Sequence, residues 1–149
     1  MAVFSAGCFW GVQKAFDEVL GVLETTVGYA GGTVQNPSYE QVCSGKTGHA
    51  EAIRIVFNPN KISFEQLLKV FFKIHDSTQL NRQGPDVGHQ YRSAIFFKSE
   101  RQRETAEKVV NEVQKRFSKP IATEINQFSN FFPAEDYHQK YYVTHPGVC

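Results

Sequence analysis

The order in which two hydrophobic periodicities alternate along this chain constrains its fold more than any other feature. Short apolar runs of strand character at residues 3–6, 23–29, 51–57 and 91–97 are separated by stretches of quite different spacing. Between the first two runs, Val12, Ala15, Phe16, Val19 and Leu20 recur three and four apart, and Gly21 stands where a left-handed cap ends a helix. Between the third and fourth, Phe64, Leu67, Leu68, Phe71 and Phe72 form an apolar stripe behind a capping box of Ser63 and Gln66. Ser99 and Gln102 repeat that box before Ala106, Val109, Val110, Val113 and Phe117. The order βαββαβ predicts an α/β chain of the α+β kind, a ferredoxin-like two-layer sandwich. C-terminal extensions follow: a short strand at 121–125, an aromatic stretch at 128–132 and a short helix near 135–142.

Two connections are long and turn-rich. Residues 33–49 carry Asn36-Pro37, Ser44-Gly45 and Thr47-Gly48, and residues 76–90 carry Gly84-Pro85 and Gly88. Loops of that length in a small domain are usually functional. With 149 residues, no repeat and no linker, the expectation is one domain over 1–149. A hydrophobic share of 41% and a charged share of 21% exclude disorder. A net charge of +1 gives no field for gripping nucleic acid or an anionic membrane. No stretch approaches the roughly 20 apolar residues of a membrane span, and Met1 to Gly7 has no signal-peptide character. A cytoplasmic protein is expected.

The cysteines are Cys8, Cys43 and Cys149, an odd set with no CxxC pair, which reads as reactive or incidental thiols rather than staples. Cys8 follows Gly7 and opens the first helix. Unpaired N–H groups and the dipole at a helix head stabilise a thiolate and make it nucleophilic. Phe9 and Trp10 follow directly, and apolar rings beside a nucleophile suit a small apolar group such as a methyl. Glu51 shares the parity of Ile53 and Ile55, so its carboxyl faces inward at the strand's end, where burial raises its pKa. Taken singly, each residue has a plainer reading. Cys8 could be a buried thiol packed by aromatics, Glu51 a strand-end carboxylate, and Tyr39 and Tyr91 packing residues with surface hydroxyls.

Several motifs together resemble the peptide methionine sulfoxide reductases of the A type. They are Gly7-Cys8-Phe9-Trp10-Gly11, Gly28-Tyr29-Ala30-Gly31-Gly32, Asn36-Pro37-Ser38-Tyr39, Gly48-His49-Ala50-Glu51, and the run from Arg82-Gln83-Gly84-Pro85-Asp86 to Gln90-Tyr91-Arg92-Ser93-Ala94. The resemblance extends from Ala6 to about His138 in one order, so its specificity lies in the set and not in any one motif. It implies reduction of methionine S-sulfoxide, free or in proteins. By resemblance Cys8 attacks the sulfoxide sulfur, Phe9 and Trp10 enclose its methyl group, Tyr39 and Tyr91 hold its oxygen, Glu51 is the acid, and Asp86 belongs to the same pocket. Cys149 resembles the resolving cysteine, forming a Cys8–Cys149 disulfide that thioredoxin reduces. Many relatives carry two cysteines in a longer glycine-rich tail, whereas this chain ends at Cys149, so thioredoxin would act on that disulfide directly.

No cofactor and no metal are expected: His145 with Cys149 is the single ligand-like spacing, and a site needs three or four ligands. Cys43 is taken as structural, and His49 as ordering the loop that presents Glu51. Two other readings compete. One is a Cys–His acyl transferase or protease with His89 or His138 as base. The other is a non-catalytic domain that binds methionine-like side chains through Phe9, Trp10, Tyr39 and Tyr91.

Overall fold

In the computed structural model, which describes residues 1–147, the alternating pattern resolves into a curled six-stranded sheet with helices packed on one face. The elements in chain order are β1 (Ala2–Ala6), α1 (Phe9–Asp17), β2 (Val22–Ala30), α2 (Tyr39–Cys43), β3 (Ala50–Phe57), α3 (Phe64–Lys73), β4 (Arg82–Gln83), β5 (Asp86–Val87), β6 (Ser93–Phe97), α4 (Glu100–Gln114), β7 (Glu124–Gln127), β8 (Phe131–Pro133) and α5 (Tyr141–Thr144). Single 3₁₀ turns cover His89–Tyr91 and Asp136–His138. The sheet runs β7-β6-β1-β3-β2-β8, and β4 and β5 form a separate two-stranded hairpin. Every neighbouring pair is antiparallel except β6 with β7.

Strand alternation decides what lies on each face. Phe4, Ile53, Ile55 and Ile95 meet Phe9, Val12 and Phe16 of α1, Leu67, Leu68 and Phe71 of α3, and Ala106 and Val109 of α4, all buried. Burying one such Phe or Leu is worth about 2–3 kcal/mol, so this face supplies most of the driving force. The opposite face presents Val3, Ala30, Ala52, Ala94 and Phe96 and is covered thinly by Phe128 and Phe131. Glu51 has the parity of Ile53 and Ile55 and therefore points toward the helices, opposite Tyr29 of β2.

The Ser63 box is complete: its hydroxyl accepts from the Gln66 N–H while the Gln66 side chain accepts from the Ser63 N–H. At Ser99 only the forward half forms, because the Gln102 carbonyl oxygen is taken by the Lys98 N–H instead. Helix α1 stops at Asp17, short of Leu20, which is 85% exposed and no part of the core. The fourth run splits. Residues 89–91 form a 3₁₀ turn, and the strand begins only at Ser93. The strand expected at 121–125 is β7, which starts at Glu124 rather than at 121. The long loops hold structure of their own, α2 within 33–49 and the β4–β5 hairpin within 76–90. No helix among the described residues is long and apolar enough to cross a membrane.

Candidate active site

The site is built where β1 hands over to α1. Gly7 adopts φ +94°, and a Cβ there would lie 2.8 Å from the Cβ and Cγ of Gln83, so only glycine permits the sharp turn. Gln83 cannot yield, because its amide is pinned to the Asp76 backbone, accepting from the N–H and donating to the carbonyl at 2.9 Å each. This turn sets Cys8 at the N-cap of α1, half-buried. Cys8 and Asp86 line a cavity of about 300 Å³ together with Gly11, Val12, Ile74 and Pro85.

Glu51 comes to the head of the same helix. Its Oε1 accepts the Phe9 N–H at 3.1 Å, and its Oε2 is buried with no hydrogen-bond partner among the described residues. At 1% exposure the charged form is poorly solvated, and burial lifts the carboxyl to about 8. The Phe9 N–H opposes that rise and the nearby Asp86 charge adds to it. At neutral pH Glu51 is therefore mostly protonated, a carboxylic acid with one oxygen still to satisfy.

Two tyrosines lie near the same acid. Tyr39 opens α2 behind the Ser38 cap, and its N–H donates to Glu135 Oε2 at 3.0 Å. Tyr91 ends the 3₁₀ turn before β6. The two phenol groups face one another closely enough to interact. Burial, and then the proximity of Glu51, push Tyr39 above the usual phenol range and Tyr91 up to about 12. Both remain neutral donors. Cys43, expected to pack structurally, is instead an exposed free thiol whose sulfur contacts the Tyr39 hydroxyl. Burial of that sulfur pushes its pKa up, and the core does not include it. Cys149 lies outside the described residues.

The aromatic wall includes residues that the sequence reading passed over as partners. The Trp10 indole N–H donates to His138 Nδ1 at 3.0 Å, so the proton of that imidazole sits on Nε2, which is buried without a partner among the described residues. Burial lowers the His138 pKa and keeps the ring neutral. His138 packs against Phe9 and Tyr39, with ring centroids 5.3 and 4.5 Å away. Tyr141 of α5 stacks on Trp10 at 4.2 Å. Glu135 joins them by accepting the Tyr29 hydroxyl at 2.9 Å. The concentration of Tyr and His from 137 to 142 was the available signal, but its target, Trp10, lies 128 positions earlier.

His49 does order its loop. Its Nδ1 accepts the Gly32 N–H at 3.0 Å and its Nε2 donates to the Val34 carbonyl at 2.7 Å. A Cβ on Gly32 would fall 2.4 Å from the His49 nitrogen, which accounts for the second glycine of that pair. The Nδ1 atoms of His89 and His138 are both engaged away from Cys8. The first accepts from Arg92 and the second from Trp10.

A cysteine at a helix head, a buried acid held protonated and two neutral phenols beside an aromatic wall are the side chains that a cysteine-dependent oxidoreductase would use. The sequence profile of the family described as peptide methionine sulfoxide reductase matches residues 1–149, and the chain belongs to that family. It is 54% identical over 143 residues to the peptide methionine sulfoxide reductase MsrA of Methanosarcina acetivorans, covering 95% of this chain and 76% of that protein. Among solved structures, it is similar to reduced Mxr1 from Saccharomyces cerevisiae, with TM-score 0.94, 36% identity, and 99% and 86% of the two chains covered. Mxr1 in complex with Trx2 is a further match, at TM-score 0.68, 27% identity, and 94% and 82% coverage.

Proposed function

We propose that this protein reduces methionine S-sulfoxide, free or within proteins, to methionine. The observation that carries the reading is Glu51, a buried acid held protonated at neutral pH, 3.1 Å from the first amide of the helix that Cys8 caps. A thiolate cannot expel oxide from sulfur, so the departing oxygen needs a proton as attack proceeds. In this scheme the Cys8 sulfur bonds to the sulfoxide sulfur while Phe9 and Trp10 enclose the methyl group. Tyr39 and Tyr91 donate to the oxygen, and Asp86 stands beside the acid. Glu51 supplies the proton. The oxygen then passes to the Cys8 sulfur as its bond to the substrate sulfur and the transient S–S bond both break, leaving a sulfenic acid on Cys8 and releasing methionine, so the substrate sulfur is reduced as the cysteine sulfur is oxidised. The Cys149 thiol then condenses with the sulfenic acid, releasing water and forming a Cys8–Cys149 disulfide. Thioredoxin, whose class is represented by the Trx2 complex of a structural relative, reduces that disulfide by thiol exchange.

The same proposal takes the chain as one domain over 1–149, acting in the cytoplasm without cofactor, metal, nucleic acid or membrane. The antiparallel order β6-β1-β3-β2 supports reading the sheet's centre as ferredoxin-like, with β7 and β8 as extensions. The test is a thiol count by mass spectrometry after one equivalent of methionine sulfoxide. One equivalent of methionine and the loss of two thiols, mapped to Cys8 and Cys149, are expected. Unchanged thiols would point to a binding domain, and thioester or peptide cleavage without any reductant to an acyl transferase.

A further inference from the structure

Arg92 is 5% exposed, and the scheme above does not use it. Its guanidinium reaches into four segments. Nε donates to Glu124 Oε1 at 3.3 Å, Nη1 to both the backbone carbonyl and Nδ1 of His89 at 3.1 Å, and Nη2 to the Gly48 carbonyl at 3.0 Å. The fourth segment is the turn after β2, where a Cβ on Gly31 would come within 3.2 Å of Nη2. Two of these contacts bear on chemistry. The His89 carbonyl belongs to the 3₁₀ turn that ends at Tyr91. Gly48, at φ +76°, closes the loop that delivers Glu51 three residues later.

A buried guanidinium with one half-exposed carboxylate partner adds little net stability, since desolvation offsets most of the Coulomb gain. What it does supply is a rigid, planar fork of donors that fixes carbonyls of separate loops relative to one another. Lysine, with a single ammonium, cannot span the same acceptors. We propose that Arg92 is a positioning residue for sulfoxide reduction, setting the Tyr91 hydroxyl and the Glu51 carboxyl at the spacing that a sulfoxide oxygen requires. This inference rests on the function proposed above.

The consequence is kinetic. Displacement of a reacting group by about 1 Å costs about 10²-fold in rate, while the hydrogen bonds of Arg92 go to Glu124, His89 and Gly48 rather than to the rings that enclose the methyl group in the scheme above. In single-turnover reduction of methionine sulfoxide, Arg92→Lys should slow sulfenic acid formation by about 10–100-fold with KM changed by less than about threefold. The effect should overlap with that of Tyr91→Phe. Where two residues act as a unit, the double variant loses less than the product of the single losses. A second pair guards against simple misfolding. His89 is on the surface, so His89→Leu removes one acceptor from the fork without disturbing the core, and His89→Asn restores an acceptor. A several-fold loss in the first, recovered in the second, is expected. Wild-type rates in Arg92→Lys, or losses that multiply cleanly with Tyr91→Phe, would overturn the proposal. So would equal rates in the two His89 variants. Wild-type protein inert toward sulfoxide would instead overturn the proposed function itself.

Discussion

Replacing Glu51 by glutamine separates two consequences of burying a protonated acid. The amide keeps the shape and can still accept the Phe9 N–H that Oε1 accepts at 3.1 Å, but it neither ionises nor donates an acidic proton. Linkage fixes the thermodynamic part. The folded-state pKa is raised from 4.5 to about 8, so the folded protein resists losing a proton that the unfolded chain loses readily. The penalty is absent below 4.5, grows as pH rises, and is complete above about 8. At about 1.4 kcal/mol per pH unit, that interval amounts to about 5 kcal/mol, comparable to the whole stability of a small domain. Glu51→Gln should therefore gain on wild type by about 1.4 kcal/mol for each pH unit between 5 and 8, measured as urea midpoints of reduced protein across that range. The kinetic part runs the other way: in single turnover, sulfenic acid formation should slow by about 10²–10⁴-fold. In wild type that step should fall as pH rises through about 8, where Glu51 gives up its proton. Parallel stability profiles in the two proteins would mean that Glu51 is not buried as a protonated acid. A kinetic loss below tenfold would move proton donation to Asp86 or a tyrosine.

Cys8→Ser should abolish sulfoxide reduction with the urea midpoint little changed, because a hydroxyl is a far weaker nucleophile near neutral pH. Near wild-type turnover would remove Cys8 from the reaction. Cys149→Ser should still convert one equivalent of sulfoxide, stall with thioredoxin, and resume with dithiothreitol, which reaches the sulfenic acid directly. A Cys8–Cys43 disulfide in a peptide map of the oxidised wild type would give the resolving role to the loop thiol. His138→Phe keeps a ring beside Phe9 and Tyr39 but leaves the Trp10 indole N–H without its acceptor. The unmet donor should cost about 1–3 kcal/mol of stability and raise KM for sulfoxide through a displaced indole. An unchanged KM would show that Trp10 is held by its stack on Tyr141 alone.

The sequence determined whatever depends on near neighbours along the chain. Periodicity placed α1, α3, α4 and the central strands, because a helix or strand must bury one face and that face is written in local spacing. The Ser63 and Gln66 box formed because both halves lie within one turn. Parity alone put Glu51 on the side of Ile53 and Ile55, and so predicted an inward, pKa-raised acid before any contact was known. The ends of elements were less legible. Nothing local distinguishes Val19 and Leu20 as lying beyond the helix, or moves the start of β6 from 91 to Ser93. Those limits follow from the turn onto Gly21 and from the 3₁₀ turn that the Arg92 fork holds. Only the tertiary structure decided the cage. The His138 bond to Trp10, the Tyr141 stack and the Glu135 hold on Tyr39 join positions about a hundred residues apart, and long-range pairing leaves no period in a single sequence. Cys43 shows the same limit from the other side. Its residue type predicts burial, yet it ends a helix of five residues whose buried side is filled by Val42, and packing left the cysteine at the surface.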